Sequence, residues 1–381
     1  MRITHIEPVV VHVNHRGDWV FVLVHTDAGI TGLGEASHNT NDRLALATIH
    51  QYGERLAGQD PTRIQALWSG LAGRNDGRVA HTVLSAIEQA LWDVLGQSLG
   101  VPIRTLLGGA VRDRIRLYAN INRHVRDRSP AGFARAAEQA VAQGFTAVKL
   151  APFDEVRAPD QVRTGPGASW RPGVERVRAV RAAIGEGVEL LVDCHSRFDE
   201  SGALAVAEAL ADCRLYWLEE PVPHTAPDAL ARITARVPMP TASTESVFGL
   251  EAFAPFLTRR VVDFIMPDVK HCGGILELSR IAAAARANGV LVAPHSPSGP
   301  VSTAAGAQAM AAATNFSILE YAWGEADWRA DLLDPPERVE NGYLHLPEGP
   351  GLGHRLNLPV VHAHRAEEAS ARDSSTALPV S

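Results

Sequence analysis

Residues 189–193 read Glu-Leu-Leu-Val-Asp, residues 215–219 read Leu-Tyr-Trp-Leu-Glu, and residues 241–245 read Thr-Ala-Ser-Thr-Glu. Each is a short, mostly uncharged run that ends on a carboxylate. The closing acids, Asp193, Glu219 and Glu245, are separated by 26 residues twice over (219 − 193 and 245 − 219). Five residues suit one strand, and the roughly 20 left in each interval suit a helix with its two turns. Ala203–Ala211 and Ala226–Ala235 supply those helices by their periodicity. The repeat is a βα unit.

The same alternation continues in both directions. Ile115–Asn120 and Ala147–Leu150 read as strands upstream, with helices at Ala131–Gln143 and Val174–Ile184. Downstream, strands are expected at Phe264–Asp268, Val290–His295 and Ser317–Tyr321, with helices at Leu250–Phe256 and Ile275–Asn288. Eight strands alternating with helices predict an α/β fold in which a parallel sheet closes into a (β/α) barrel. The Pro-rich Asp334-Pro335-Pro336-Glu337 ends that pattern. Turns at Asn341-Gly342-Tyr343 and Gly349–Gly353 mark a remainder expected to pack back on the N-terminal part. There, Ile6–Val13, Trp19–His25 and Ile30–Glu35 read as a strand meander with a turn at Thr26-Asp27-Ala28-Gly29, followed by helices Asn41–Leu56 and Arg78–Leu95. The expected boundaries are 1–112 for a small α+β domain, 113–333 for the barrel and 334–381 for the C-terminal segment. Polar, aperiodic composition predicts disorder in its last ~15 residues.

Composition narrows the function. In 381 residues, 46% of them hydrophobic, no run of ~18 apolar residues offers a membrane span. The N-terminus runs directly into strand-like sequence without the apolar core of a signal peptide. Three cysteines (Cys194, Cys213 and Cys272), odd in number and lacking zinc-type spacing, predict no disulfide framework and point to a reducing cytoplasm. A net charge of −7 argues against a nucleic-acid partner. The arginines between Arg157 and Arg181 read as a solvated helix face.

Strand ends at the C-terminal face of a barrel point into one site. Any one of the three acids could simply cap the following helix. Three in register would repel one another unless a cation lay between them, and hard oxygen ligands suit Mg²⁺. Asp268 closes Phe-Ile-Met-Pro-Asp and His295 closes Val-Leu-Val-Ala-Pro-His, 27 residues apart (295 − 268). A carboxylate beside a histidine fixes its tautomer and raises its basicity, which predicts a general base. Glu320, in Ile-Leu-Glu-Tyr, adds an acid on the last strand. His12, His50, His81, His224 and His271 have no such placement.

These residues resemble the mandelate racemase subgroup of the enolase superfamily. The likeness runs from Gly29-Ile30-Thr31-Gly32-Leu33-Gly34-Glu35 through Asp193, Trp217-Leu218-Glu219-Glu220-Pro221, Glu245, Met266-Pro267-Asp268, Gly273-Gly274 and Pro294-His295 to Pro350-Gly351-Leu352-Gly353. The resemblance implies a modified (β/α)8 barrel of the TIM type under an α+β capping domain, with loops near residues 12–20 over the substrate. It implies Mg²⁺ on Asp193, Glu219 and Glu245, with Glu219 rather than Glu220 as the ligand. It also implies His295 and Asp268 as the dyad that removes a proton α to a carboxylate, while Glu320 hydrogen-bonds the resulting enediolate.

The chain departs from the racemases of that subgroup at Ala151, where they carry a lysine. The usual opposing base is thereby absent. Lys149 either contacts the substrate carboxylate or pairs with a barrel acid. Asp193-Cys194-His195 instead resembles the family's sugar-acid dehydratases of the galactonate type, which implies that His195 protonates a leaving hydroxyl, while Cys194 serves packing. The function expected is a Mg²⁺-dependent hydro-lyase that acts on a small sugar acid and yields a 2-keto-3-deoxy acid, in a cytoplasmic homo-oligomer that needs no nucleic acid or membrane. A racemase or epimerase of a 2-hydroxy acid, or a non-catalytic metal-binding homologue, is the alternative. The loop 152–172, with Asp154, Arg157 and Arg163, is expected over the barrel mouth. His15, Arg16 and Trp19 are expected to reach the substrate from the capping domain and to govern its choice.

Overall fold

A computed structural model describes residues 1–15, 17–72, 77–157 and 169–366. Arg16, Arg163 and the tail expected to be disordered therefore lie outside the described residues.

The N-terminal unit is an antiparallel meander, β1 (Ile3–Asn14), β2 (Gly17–Thr26) and β3 (Thr31–Glu35), in that spatial order. Helices α1 (Asp42–Leu56), α2 (Ile64–Ala72), α3 (Arg78–Leu99) and α4 (Ile103–Leu106) follow. Asn41 caps α1 by accepting the Leu44 N–H at 3.0 Å, and Gly100 ends α3 in the left-handed conformation at φ 70°. Helix α3 lies directly on β3. A side chain at Gly32 or Gly34 would overlap the carbonyl oxygens of Ala90 and Ala86, so those two glycines permit the contact.

The barrel begins at β4 (Arg114–Asn120). It continues through α5 (Pro130–Ala142), β5 (Ala147–Leu150), α6 (Arg171–Ile184), β6 (Glu189–Asp193), α7 (Glu200–Ala209) and β7 (Trp217–Glu219). Then come α8 (Pro227–Thr234), β8 (Thr241–Ser243), α9 (Leu250–Thr258), β9 (Phe264–Ile265), α10 (Ile275–Ala287), β10 (Leu291–Val292), α11 (Pro300–Ala312) and β11 (Leu319–Tyr321). Parallel ladders join β4 to β10 in sequence order, and β11 pairs with β4. A bridge between Val292 and Phe316 closes the ring. Every crossover between neighbouring strands carries a helix, whereas β11 leads into a single 3-10 turn, Ala330–Leu332. The eighth helix of a regular barrel is thus replaced, which is the modification the fold class required.

Inside the ring, Tyr118, Ala147, Leu191, Trp217, Ala242, Phe264, Met266, Ala293 and Ile318 form a buried plug. Tyr118 meets Trp217 edge-on at 5.7 Å, and Trp217 lies 5.1 Å from Phe264. The barrel is therefore filled, and chemistry is confined to its mouth.

Beyond the barrel, β12 (Leu333–Asp334) pairs with β15 (Arg355–Leu356). The hairpin of β13 (Val339–Glu340) and β14 (Tyr343–His345) adds antiparallel to β4. After α12 (Leu358–Ala363), Arg365 bridges to Val11 on the edge of β1.

Three buried acids of the N-terminal unit hold it to the rest. Glu35 accepts the backbone N–H of Gly299 at 2.7 Å and of Ser302 at 2.8 Å, capping α11 from another domain. Glu88 does the same for α10 through Ile275 at 2.6 Å and Leu276 at 3.0 Å. Asp93 accepts from Leu33 at 2.9 Å and Leu352 at 2.7 Å. Helix starts leave unpaired N–H groups, so Glu35 and Glu88 meet donors that would otherwise be buried alone, while Asp93 joins β3 to the C-terminal segment. Burial pushes the carboxyls of Glu88 and Asp93 up to about 7 despite these bonds.

Candidate active site

Asp193 and Glu219 are the terminal residues of β6 and β7, paired across the ladder. Glu245 is not a strand residue as expected. Strand β8 stops at Ser243, and Thr244 turns the chain at φ 93° before Glu245. Asp268 and His295 likewise follow β9 and β10 by three residues each. The turns nevertheless return these side chains to the mouth. One carboxylate oxygen from each of Asp193, Glu219 and Glu245 lies within 4.8 Å of the others. Burial first, and then the neighbouring Asp193, push Glu219 well above the usual carboxylate range. Closely packed acids with this strain fit a divalent cation bound through oxygen.

Lys149, at 2% exposure, is committed to acids. Its Nζ lies 2.7 Å from Glu219, 3.0 Å from Glu320 and 3.7 Å from Asp193, and 5.2 Å from the Tyr118 ring centre. Of the two readings for Lys149, this geometry shows the pairing with barrel acids. Glu320 also accepts from Asn120 Nδ2 at 2.6 Å and from the Ser296 N–H at 2.9 Å. Burial opposes its charge, but Lys149 and His295 outweigh that and hold Glu320 below its ordinary value. Trp217 Nε1 donates to Glu219 at 2.9 Å, linking the plug to the site.

The dyad forms as two residues in contact. His295 Nδ1 lies 2.7 Å from Asp268 Oδ2, while His295 Nε2 faces Glu245 at 3.4 Å and Glu320 at 4.0 Å. Asp268 is fully buried, yet Lys270, His271 and His295 together hold its carboxyl well below the usual range. An ionised Asp268 accepts from Nδ1–H, which leaves the lone pair of Nε2 directed into the mouth.

His195 does not continue a strand. It and Ser196 turn left-handed at φ 47° and 56°, so strand alternation does not set where its side chain points. The turn itself brings it beside Asp193, with His195 Nε2 at 3.0 Å from Asp193 Oδ2. Asp193 raises the His195 pKa to about 9. Cys194 is fully buried in the core.

Trp19, expected to reach the substrate, is wholly buried against Trp328 at 5.3 Å and cannot touch a ligand at the mouth. It lies in a run of four consecutive buried residues of β2, Trp19 to Val22, so both strand faces are covered there. His15 is exposed. Arg128 ties Asp154 to the Ala151 carbonyl. Arg157 falls among the described residues.

Several contacts were not foreseen. Lys270 bonds Asp268 through both its backbone N–H, at 2.8 Å, and its ammonium. His271, given no role from sequence, is buried between Arg78 at 2.9 Å and Thr82 at 2.8 Å, and burial keeps it neutral. His38, turned left-handed at φ 57°, reaches from the N-terminal unit to Ser298 at 2.9 Å and Arg123 at 2.8 Å. Asn120 ends β4 as Asp193 ends β6, a signal that strand-end reading could have used. His38 had none, because its partners lie far away in sequence.

This barrel, capping unit and acidic mouth define an enolase-type enzyme scaffold. The sequence matches the mandelate racemase / muconate lactonizing enzyme N-terminal domain over residues 2–108 and the enolase C-terminal domain-like family over residues 132–360, and the chain belongs to that family. It is 35% identical to a D-galactonate dehydratase of Ralstonia pickettii over 92% of each chain. It is 34% identical to a D-xylonate dehydratase of Haloferax volcanii, over 96% of this chain and 89% of that one. A mandelate racemase/muconate lactonizing enzyme-like protein from Rubrobacter xylanophilus superposes with TM-score 0.88 at 34% identity, covering 96% of this chain and 98% of that chain.

Proposed function

We propose that the chain is a Mg²⁺-dependent dehydratase that converts an aldonate-like sugar acid into a 2-keto-3-deoxy acid. The observation that carries this reading is the meeting, at one mouth, of two histidines set for opposite proton transfers. His295 offers a lone pair at Nε2, since Asp268 holds its Nδ1–H. His195 stays protonated at neutral pH beside Asp193. A base and an acid separated by their surroundings are what an elimination needs.

In the proposed reaction His295 Nε2 takes the proton from the carbon α to the substrate carboxylate. His195 gives its proton to the β-hydroxyl as the carbon–oxygen bond breaks, so water leaves and the resulting enol tautomerises to the ketone. Asp193, Glu219 and Glu245 would hold the metal ion, which when bound stabilises negative charge on the substrate carboxylate. Lys149 holds Glu219 and Glu320 in place and helps to keep Glu320 ionised. With Ala151 buried and Lys149 engaged by three acids, an epimerase would lack a second base on that side.

The relatives act on galactonate, xylonate and, for an enzyme of Thermoproteus tenax at 31% identity, gluconate. A linear polyhydroxy acid is the class they support for this chain. No helix among the described residues is long and apolar enough to cross a membrane, and the three cysteines are free. Both fit work on a small molecule in the cytoplasm, and a homo-oligomer remains the expected assembly. The test is a screen of aldonic and aldaric acids with Mg²⁺, read as semicarbazone absorbance of the 2-keto product. Failure of every acid to give product, with metal bound, would falsify the reading.

A further inference from the structure

Far from the mouth, at the start of β4, lies an open cavity of about 570 Å³ lined by Arg112, Asp113, Arg114, Arg116, Phe316, Ser317, Tyr343 and His345. It is unlike the rest of a chain whose net charge is −7. Alternation along β4 sends Ile115 and Leu117 into the core and leaves Arg114 and Arg116 on the cavity side. Strand β14 completes the wall, since Tyr343 pairs with Arg116 and His345 with Arg114.

The three guanidiniums have no carboxylate partner among the described residues. Arg112 donates to the Met310 and Ala313 carbonyls and covers the Phe316 ring at 5.1 Å. Arg114 lies over the Tyr343 ring at 4.1 Å. Arg116 has one hydroxyl partner, Thr146, at 3.2 Å. The buried Arg329, by contrast, is neutralised by Glu337 at 2.9 Å. The opposing charge here is Asp113 in the lining, with Glu340 at 3.4 Å from His345 and already shared with Arg338.

We propose that this cavity binds a phosphorylated sugar acid, a small molecule with a carboxylate at one end and a phosphate at the other. Residues two apart on one strand face stand about 7 Å apart, so Arg114 and Arg116 suit two separate anionic groups rather than one. A phosphate brings a charge near −2 and matches the guanidinium fork in two bonds. The hydroxyl-bearing middle of such a chain would meet Ser317, Tyr343 and His345. A nucleotide fits less well, because Arg112 and Arg114 already cover the ring faces on which a base would stack. This site is independent of the dehydratase reading and shares no residue with the mouth.

The test uses calorimetric titration of the full chain with phosphogluconate carrying its phosphate on the terminal hydroxyl. Gluconate and inorganic phosphate serve as separate probes. Saturable binding is expected, weakened roughly ten- to a hundredfold by the double variant Arg114→Gln/Arg116→Gln, and undisturbed by excess gluconate. Arg116→Gln alone, which loses one hydroxyl contact, keeps the test decisive if the double variant does not fold. No saturable binding overturns the proposal. So does binding that gluconate displaces and the arginine variants leave unchanged, since that ligand would sit in the mouth. Inorganic phosphate binding as tightly as phosphogluconate overturns the two-ended ligand.

Discussion

Replacing Lys149 by Met removes one ammonium and little volume, and it tests what that buried cation does. Its Nζ stands 2.7, 3.0 and 3.7 Å from Glu219, Glu320 and Asp193. Burial alone would lower its pKa, yet Glu219 and Glu320 lead the groups that hold it well above the ordinary value. Breaking a buried ion pair by deleting one partner costs about 3–5 kcal/mol, because the remaining charge stays buried. At the shallow slope of large domains, about 2–4 °C per kcal/mol, the metal-free variant should melt roughly 6–20 °C lower. The three acids around the vacated position should then attract a divalent cation more strongly. Calorimetric melting of both proteins, with chelator and with Mg²⁺, should show a larger Mg²⁺ stabilisation in Lys149→Met. Equal melting temperatures without metal, together with a large rise in KM for the acid, would refute the argument. That result would make Lys149 a ligand of the substrate carboxylate.

Chelation should abolish turnover, and Mg²⁺ should restore it better than Zn²⁺, given three oxygen ligands; turnover in chelator with no metal by elemental analysis would contradict the site. His295→Asn should stop both deuterium exchange at Cα and dehydration, whereas His195→Asn should keep exchange while elimination slows by about 10²–10⁴. Proton NMR in D₂O decides between them, and dehydration at the parent rate in His195→Asn would remove its role as acid. In the metal-free protein His195 should titrate near 9 by NMR, and Mg²⁺ should bring it down by neutralising Asp193; an unchanged titration would place the cation elsewhere. Glu88 has a folded value of about 7 against an ordinary 4.5, so its stabilising contribution is full below that ordinary value and is lost as pH rises through 7. From pH 4.5 to 7 wild type should therefore lose about 3 kcal/mol relative to Glu88→Gln in denaturant melts, and a difference that is flat with pH would show the carboxyl to be ionised throughout.

The barrel was legible because strands and helices alternate with near-constant spacing, a pattern set by local periodicity alone. Helix α11, rich in small residues and buried all round, has no polar face to mark it and went unread. The acids at Asp193 and Glu219 could be placed because strands run straight to the mouth. His195 and Glu245 reach the same site through left-handed turns at His195, Ser196 and Thr244, which are rare for non-glycine residues and leave no mark in a hydrophobic pattern. Trp19 was misplaced for a related reason. A loop-flanking aromatic can face ligand or core, and only the packing of Trp328 decides.

The expected division of labour, with choice of substrate in the capping unit and chemistry in the barrel, is too clean for these contacts. The turns that carry Asp268 and His295 lead into α10 and α11, and both helices start on capping-unit carboxylates, Glu88 and Glu35. Gly274 and Gly299 hold those starts open, since a side chain at the first would overlap Glu88 and at the second would meet Glu35 at 2.8 Å. His38 adds a third tie, to Ser298 in the turn after His295. Any shift of the capping unit must therefore move the N–H acceptors of both helices, and with them the turns that aim the dyad. A hydrogen bond between a base and its acid tolerates little displacement before proton transfer slows. Capping-unit changes that leave direct contacts intact but loosen Glu35 should then reduce kcat as well as alter substrate choice, because the base is positioned from across the domain boundary.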